Sequence, residues 1–173
     1  ELQGGEHAVA ITFDDAYANL ATAAWPLLRE RRLPATVFVP TGRVGRDNAW
    51  GEQVARGIPT LPLCDWEALE RMTKEGLEIG SHTVNHAHLD GMSTELVRAE
   101  LAISAETIET RTGKRPRAFC YPYGSWSAEA ARIASQLYDL AVTTELRPLS
   151  TVDARHRLPR LDAYYYRDNR LLE

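Results

Sequence analysis

Two stretches of this chain put metal-binding and proton-transferring side chains where a fold can use them. The first is Val9-Ala10-Ile11-Thr12-Phe13-Asp14-Asp15, a short apolar run that ends in adjacent carboxylates. Its β-branched and aromatic residues predict a buried strand, with Asp14 and Asp15 at its C-terminal end. In barrels and open α/β sheets that end carries the chemistry. Two neighbouring carboxylates repel unless a cation or a shared proton lies between them. The competing reading is a helix cap beside a solvated acid. The second stretch is Leu77-Glu78-Ile79-Gly80-Ser81-His82-Thr83-Val84-Asn85-His86, another strand that runs into histidines. Two neutral imidazoles and a carboxylate make a three-ligand site for a divalent metal, with positions left open for water. A lone histidine pair is more often structural, but two such strand ends in one chain favour the metal reading.

A third motif follows, Phe119-Cys120-Tyr121-Pro122-Tyr123-Gly124. ITFDDAY, SHTVNH and this motif, in that order over residues 11–124, resemble the polysaccharide deacetylase family, the NodB-homology domain of carbohydrate esterase family 4. The resemblance implies an α/β fold, a distorted (β/α)7-type barrel, and hydrolysis of N-acetyl groups on a sugar polymer or oligosaccharide with release of acetate. It assigns Asp15, His82 and His86 to a divalent metal and Asp14 to the general base. Zn2+ is the first choice for two histidines and a carboxylate, and Co2+, Ni2+, Fe2+ and Mn2+ suit the same set. Pro122 and Tyr123 would wall the substrate groove, with Tyr123 supplying a backbone N–H to the oxyanion.

The chain also departs from the family pattern. Cys120 stands where the family commonly has an arginine that pairs with the catalytic aspartate. Arg160, in Leu158-Pro159-Arg160-Leu161-Asp162, is the candidate replacement, and an ion pair with Asp162 is the alternative. The late Asp-x-x-Asp-Trp and Leu-x-His motifs are absent, the second of which provides the catalytic acid. The details sit closest to the poly-N-acetylglucosamine deacetylases, whose acid histidine lies upstream of the first motif and would here precede residue 1. His7 is a weak substitute at the wrong end of its strand, and His88 and His156 are the other histidines open to the role. A catalytically weak or inactive deacetylase-like module that binds glycans is therefore the second functional reading. A structural domain of an envelope-assembly protein is the third.

The elements that must position these residues alternate along the chain. Strands are predicted at 8–13, 35–39, 77–81, 117–121, 138–143 and 157–163. A helix over 16–32 carries Pro26, which implies a kink or a late start. Helices over 66–74, 94–112 and 128–137 are capped by Asp65, Ser93 or Thr94, and Ser127, with Gly76 and Gly113 as stops. This βα alternation predicts a parallel sheet or barrel. Six strands against the family's seven or so would leave such a barrel incomplete. Residues 41–64 form a long loop rich in Gly and Pro, the kind that shapes specificity. Trp50 within it is a candidate sugar-stacking platform, with an ordinary loop anchor as the alternative.

The 173 residues suit one domain, spanning 1–173, with a sizeable core. A net charge of −4 argues against a nucleic-acid partner that reads a basic surface. Two cysteines, Cys64 and Cys120, make no disulfide framework, so two buried thiols are expected. No apolar run approaches the length of a membrane span, and no signal-peptide pattern opens the chain. Compartment and oligomeric state are left open.

Overall fold

The structure of the chain is a computed structural model, which describes residues 9–51, 53, 54 and 56–166. Six parallel strands form one sheet in sequence order: β1 (Ile11–Phe13), β2 (Ala35–Val39), β3 (Glu78–Ser81), β4 (Ala118–Cys120), β5 (Leu140–Leu146) and β6 (Leu158–Arg160). Each strand lies beside the next in sequence, so the connections wind in one direction and the sheet curls. The curl is tight enough for Arg160 on β6 to touch Thr12 and Asp14 at the other edge. This is the incomplete, distorted α/β barrel expected from the sequence.

Strand parity sorts the side chains. On the outer face, Val37, Val39 and Ile79 pack against Trp25 of α1 (Trp25–Glu30) and Leu69 and Met72 of α2 (Trp66–Lys74). Farther along, Phe119, Tyr121 and Ala141 pack against Leu101 and Ala105 of α3 (Thr94–Thr112) and Ile133 of α4 (Ala128–Leu137). The alternate residues Phe38, Cys120 and Val142 meet on the inner face. Gly80 belongs to that face. A Cβ built there would lie 2.5 Å from the Phe38 ring, so only glycine lets β3 cross under it. The residues just beyond the C-terminal strand ends carry the site: Asp14 and Asp15 after β1, His82 and His86 in the turn after β3, and Pro122 and Tyr123 after β4.

The helix ends follow the local signals. Asp65, Ser93 and Ser127 accept from the backbone N–H groups of Ala68, Leu96 and Ala130. Gly113 stops α3 in the left-handed region at φ 72°. Strand limits differ from the sequence expectation by a residue at β3 and β4, and β5 runs Leu140–Leu146 rather than 138–143. Three further differences stand out. The helix expected over 16–32 divides into a π-helical turn over Leu20–Ala24 and α1, with Pro26 in its first turn, where no backbone hydrogen bond is lost. β1 is described as a strand only from Ile11, and residue 8 lies outside the described residues. β6 spans three residues rather than seven: Pro159 cannot donate to a ladder, and the chain turns into a short 3-10 segment at Ala163–Tyr166. Cys64 and Cys120 are both buried free thiols.

Candidate active site

The C-terminal ends of β1, β3 and β4 converge on one group of side chains. Asp15 Oδ1 stands 3.1 Å from His86 Nε2 and 3.4 Å from His82 Nε2. His82 and His86 are buried, and Asp15 Oδ1 is itself buried with no hydrogen-bond donor among the described residues. A carboxylate oxygen aimed at two imidazole nitrogens is a donor set that could hold a divalent metal. The His82 Nδ1 lies 2.7 Å from the Cys120 carbonyl. A carbonyl only accepts, so Nδ1 carries the proton and Nε2 of the neutral ring is the free donor, the arrangement that orients metal-binding histidines.

Asp14 faces the other way across the inner face. Arg160 grips it with both arms, Nη1 on Oδ1 and Nη2 on Oδ2, each at 2.7 Å. The same guanidinium donates from Nε to the Thr143 carbonyl at 3.0 Å. It lies 3.2 Å from the Thr12 hydroxyl and from Cys120 Sγ. Arg160 thus takes Asp14, and not Asp162, as its ion-pair partner. A second grouping, Asp14, His82 and Cys120, also brings three potential ligands together. The Arg160 cation already occupies two of those three, so that grouping suits a proton-handling carboxylate better than a metal.

The charges respond to this packing. Burial works against ionisation of Asp15, but the facing His82 and His86 imidazoles outweigh it and hold its carboxyl well below the usual range. Burial likewise opposes ionisation of Asp14, and the Arg160 hydrogen bonds with the His82 and Arg160 charges more than offset it, so its pKa is lowered. Burial disfavours a charged His82, yet contact with Cys120 and the nearby Asp15 and Asp14 carboxylates carry its pKa well above the ordinary value. Burial dominates at His86 and lowers its pKa. Burial also raises the Cys120 thiol.

The rim is aromatic. Pro122 is buried, and Tyr123 is partly exposed at φ 58°. The Tyr123 ring meets the His86 ring edge-on at 4.5 Å and stacks on His88 at 3.9 Å. The structure corrects the expectation for Trp50. Its ring is only 2% exposed and is stacked on His86 at 4.4 Å, so it has no open face for a sugar. His156 is also removed from consideration as an acid at this site. Its Nε2 pairs with the Tyr138 carbonyl, before the start of β5 and at the opposite end of the sheet. His7 lies outside the described residues.

Two contributors were not singled out from sequence. The Tyr17 hydroxyl accepts from the buried Asn48 amide at 3.2 Å, and burial together with the nearby Asp15 charge raises its pKa. Glu100 on α3 accepts from the backbone N–H groups of Val84 and Asn85 at 2.8 and 2.9 Å and from the Asn85 side chain at 2.7 Å. It therefore clamps the turn between the two histidines. A tyrosine two residues after the acidic pair was a usable signal for the first. Nothing local marked the second.

Comparison with known proteins agrees with this geometry. Residues 2–139 match the Polysaccharide deacetylase family. A poly-beta-1,6-N-acetyl-D-glucosamine N-deacetylase of Staphylococcus aureus is 28% identical over 128 residues, covering 69% of this chain and 41% of that protein. The fold superposes on the Streptococcus pyogenes deacetylase PplD, determined in complex with acetate, with a TM-score of 0.73 and 26% identity over 87% of this chain and 62% of that one. It superposes equally on IcaB from Ammonifex degensii, with a TM-score of 0.73 and 27% identity over 88% of this chain and 66% of that one. The chain spans about half the length of the curated relatives it matches. With 138 consecutive residues matched and the three motifs gathered at one end of a curled sheet, this chain belongs to the polysaccharide deacetylase family.

Proposed function

We propose that this domain hydrolyses N-acetyl groups on a carbohydrate, with release of acetate, and that Asp15, His82 and His86 hold the divalent metal the reaction needs. One observation carries the reading. The buried Asp15 oxygen faces two imidazole nitrogens within 3.4 Å, and the adjacent Asp14 is locked by Arg160. The two carboxylates therefore have separate tasks set by their surroundings.

Asp15, His82 and His86 would hold a divalent cation, which would supply polarisation of the amide carbonyl and would bring the pKa of water toward ~7. Zn2+ suits the ligands best, and Co2+, Ni2+, Fe2+ and Mn2+ are compatible. Asp14 is the general base. Arg160 keeps it ionised and turned toward the site, where it takes the proton of the attacking water. Asp15 cannot share that task, because both neighbouring imidazoles converge on it. His82 is oriented by the Cys120 carbonyl, which fixes the tautomer that leaves Nε2 to the ligand set. Pro122 and Tyr123 form the wall against which the acetyl group rests, and the Tyr123 backbone N–H is the oxyanion donor.

The S. aureus relative is named for poly-beta-1,6-N-acetyl-D-glucosamine, so β-1,6-linked N-acetylglucosamine oligomers are the first substrates to test. Purified protein with Zn2+ or Co2+ should release acetate, and a chelated control should not. A second reading, a glycan-binding module with weak turnover, is favoured by the position of His156 far from Asp14. Under it, the oligomers bind with metal at one per chain, and no acetate appears.

A further inference from the structure

We infer that Trp50 is a positioning residue for the metal site, holding the His86 ring in the orientation that binds metal; this rests on the ligand set proposed above. Metal-binding histidines are ordinarily oriented by a hydrogen bond to the second ring nitrogen. His82 follows that rule through the Cys120 carbonyl. His86 does not: its Nδ1 is buried and has no hydrogen-bond partner among the described residues. Something other than a hydrogen bond must stop the ring from turning.

The surrounding rings do so. Trp50 stacks on His86 with a 4.4 Å centroid separation and 28° between planes. Tyr123 and His82 meet the ring edge-on at 4.5 and 4.8 Å. A planar indole along the imidazole face blocks rotation of the ring about its side-chain bonds, because any turned rotamer would drive an edge into that face. Trp50 is suited to the task because its own place is fixed. Its backbone N–H donates to the Asn48 carbonyl at 2.8 Å. Asn48 is in turn buried, accepting from the Leu61 N–H at 2.7 Å and donating to the Pro59 carbonyl at 3.1 Å. Thus the long loop between β2 and α2 reaches into the metal site through one side chain.

The consequence is a coupling. A change in the loop should alter metal affinity, and metal binding should order the loop to the same extent. Trp50→Leu keeps apolar bulk but removes the flat face, whereas Trp50→Phe keeps a smaller aromatic face. The full chain is stripped with chelator and titrated with Co2+, recording dissociation constant and visible absorption band, with His86→Ala as the ligand control. Trp50→Leu should bind Co2+ about 10- to 100-fold more weakly, with a shifted band, and Trp50→Phe should recover much of the loss. A folded Trp50→Leu with wild-type affinity and band overturns the inference while leaving the ligand set intact. A wild-type chain that binds no Co2+, or a His86→Ala variant that binds it normally, overturns the ligand set and the inference with it. If Trp50→Leu does not fold, amide exchange at residues 48–51 in the wild-type chain decides. Slower exchange on saturation with Zn2+ supports the coupling, and unchanged exchange refutes it. A purely structural tryptophan would lower thermal stability without moving the Co2+ band.

Discussion

Arg160→Gln is the sharpest test of how Asp14, the proposed general base, is held. The substitution keeps a polar side chain of similar length but removes the charge and the two-armed grip on Asp14. Breaking a fully buried ion pair costs about 3–5 kcal/mol, because the orphaned charge stays behind. Here Asp14 keeps 32% of its side chain accessible and Arg160 keeps 20%, so about 2–3 kcal/mol is the expected loss. For a domain of this size that is on the order of 5–10 °C in Tm. The sign with pH is fixed by linkage. The folded-state pKa of Asp14 lies below its ordinary 3.8, so the pair's contribution is fully present above pH ~3.8 and disappears as pH falls through the lower folded value. The stability gap between wild type and variant should be full at pH 7 and close under strong acid. Turnover should shift as well. Burial alone raises the Asp14 pKa, so without Arg160 the acidic limb of the rate profile moves to higher pH. Arg160→Lys restores charge without the planar fork and should recover stability better than turnover. The assays are chemical denaturation at pH 7 and at acid pH, and acetate release across pH. Superimposable acidic limbs with an unchanged Tm would refute the role given to Arg160.

The other predictions concern the ligands and the elements beneath them. Asp14→Asn should bind Co2+ like the wild type and lose at least ~100-fold in acetate release, the scale of a positioned base; normal release would remove Asp14 from that role. His82→Ala should abolish stoichiometric Co2+ binding, read by equilibrium dialysis, and retention of one ion per chain would remove it from the ligand set. Gly80→Ala must push the Phe38 ring or β3 aside and should cost about 1–3 kcal/mol in denaturation, the range for an overpacked core; an unchanged midpoint would mean the strand has room to spare. Glu100→Ala leaves the backbone N–H groups of Val84 and Asn85 without their carboxylate. It should weaken Co2+ binding more than it lowers Tm, and equal metal affinity would show that the turn holds its shape unaided.

How legible the site was depends on which contacts a residue obeys. Side chains governed by their own strand were readable. A strand hides alternate residues on alternate faces, so Thr12, Asp14, Gly80, His82 and Cys120 were bound to share the inner face once the apolar runs around Asp14 and His82 were recognised as strands. Caps were readable for the same reason, since Asp65, Ser93 and Ser127 each bond a backbone N–H three residues ahead. The pairing of Arg160 with Asp14 spans 146 residues and depends on how far six strands curl. Sequence offered the cation but not the closure, and Asp162 was as good a partner until the sheet was seen. For Trp50 the sugar-platform reading failed and the loop-anchor alternative held, for a related reason. A tryptophan in a glycine- and proline-rich loop reads as a surface feature, yet a ring of that size is seldom left open without cost. The loop folds inward on Asn48, for which composition carries no code.

The same distinction explains where the backbone is strained. Six described non-glycine residues have positive φ, and five of them, Asp15, Ala16, Thr83, His86 and Tyr123, are proposed ligands or walls of the site or lie next to one. Such conformations cost on the order of 1 kcal/mol or more each, which is a large share of a domain's net stability. They persist because neighbouring contacts overdetermine them. Glu100 ties down Val84 and Asn85 between the two histidines, and the Gly42 N–H donates to the Val84 carbonyl. Ala16 gives its carbonyl to Cys64 of the long loop, and the Asn48 amide reaches Tyr17 beside Asp15. These clamps come from α3 and from the 41–64 loop, segments that supply no ligand of their own. The strands bring the ligands to one end of the sheet. The turns after β1 and β3, held in conformations that L-residues avoid, aim Asp15, His82 and His86 at one another. The proposed ligand set is therefore shaped by the protein itself, and a cation bound there would not have to supply the free energy of bending two turns.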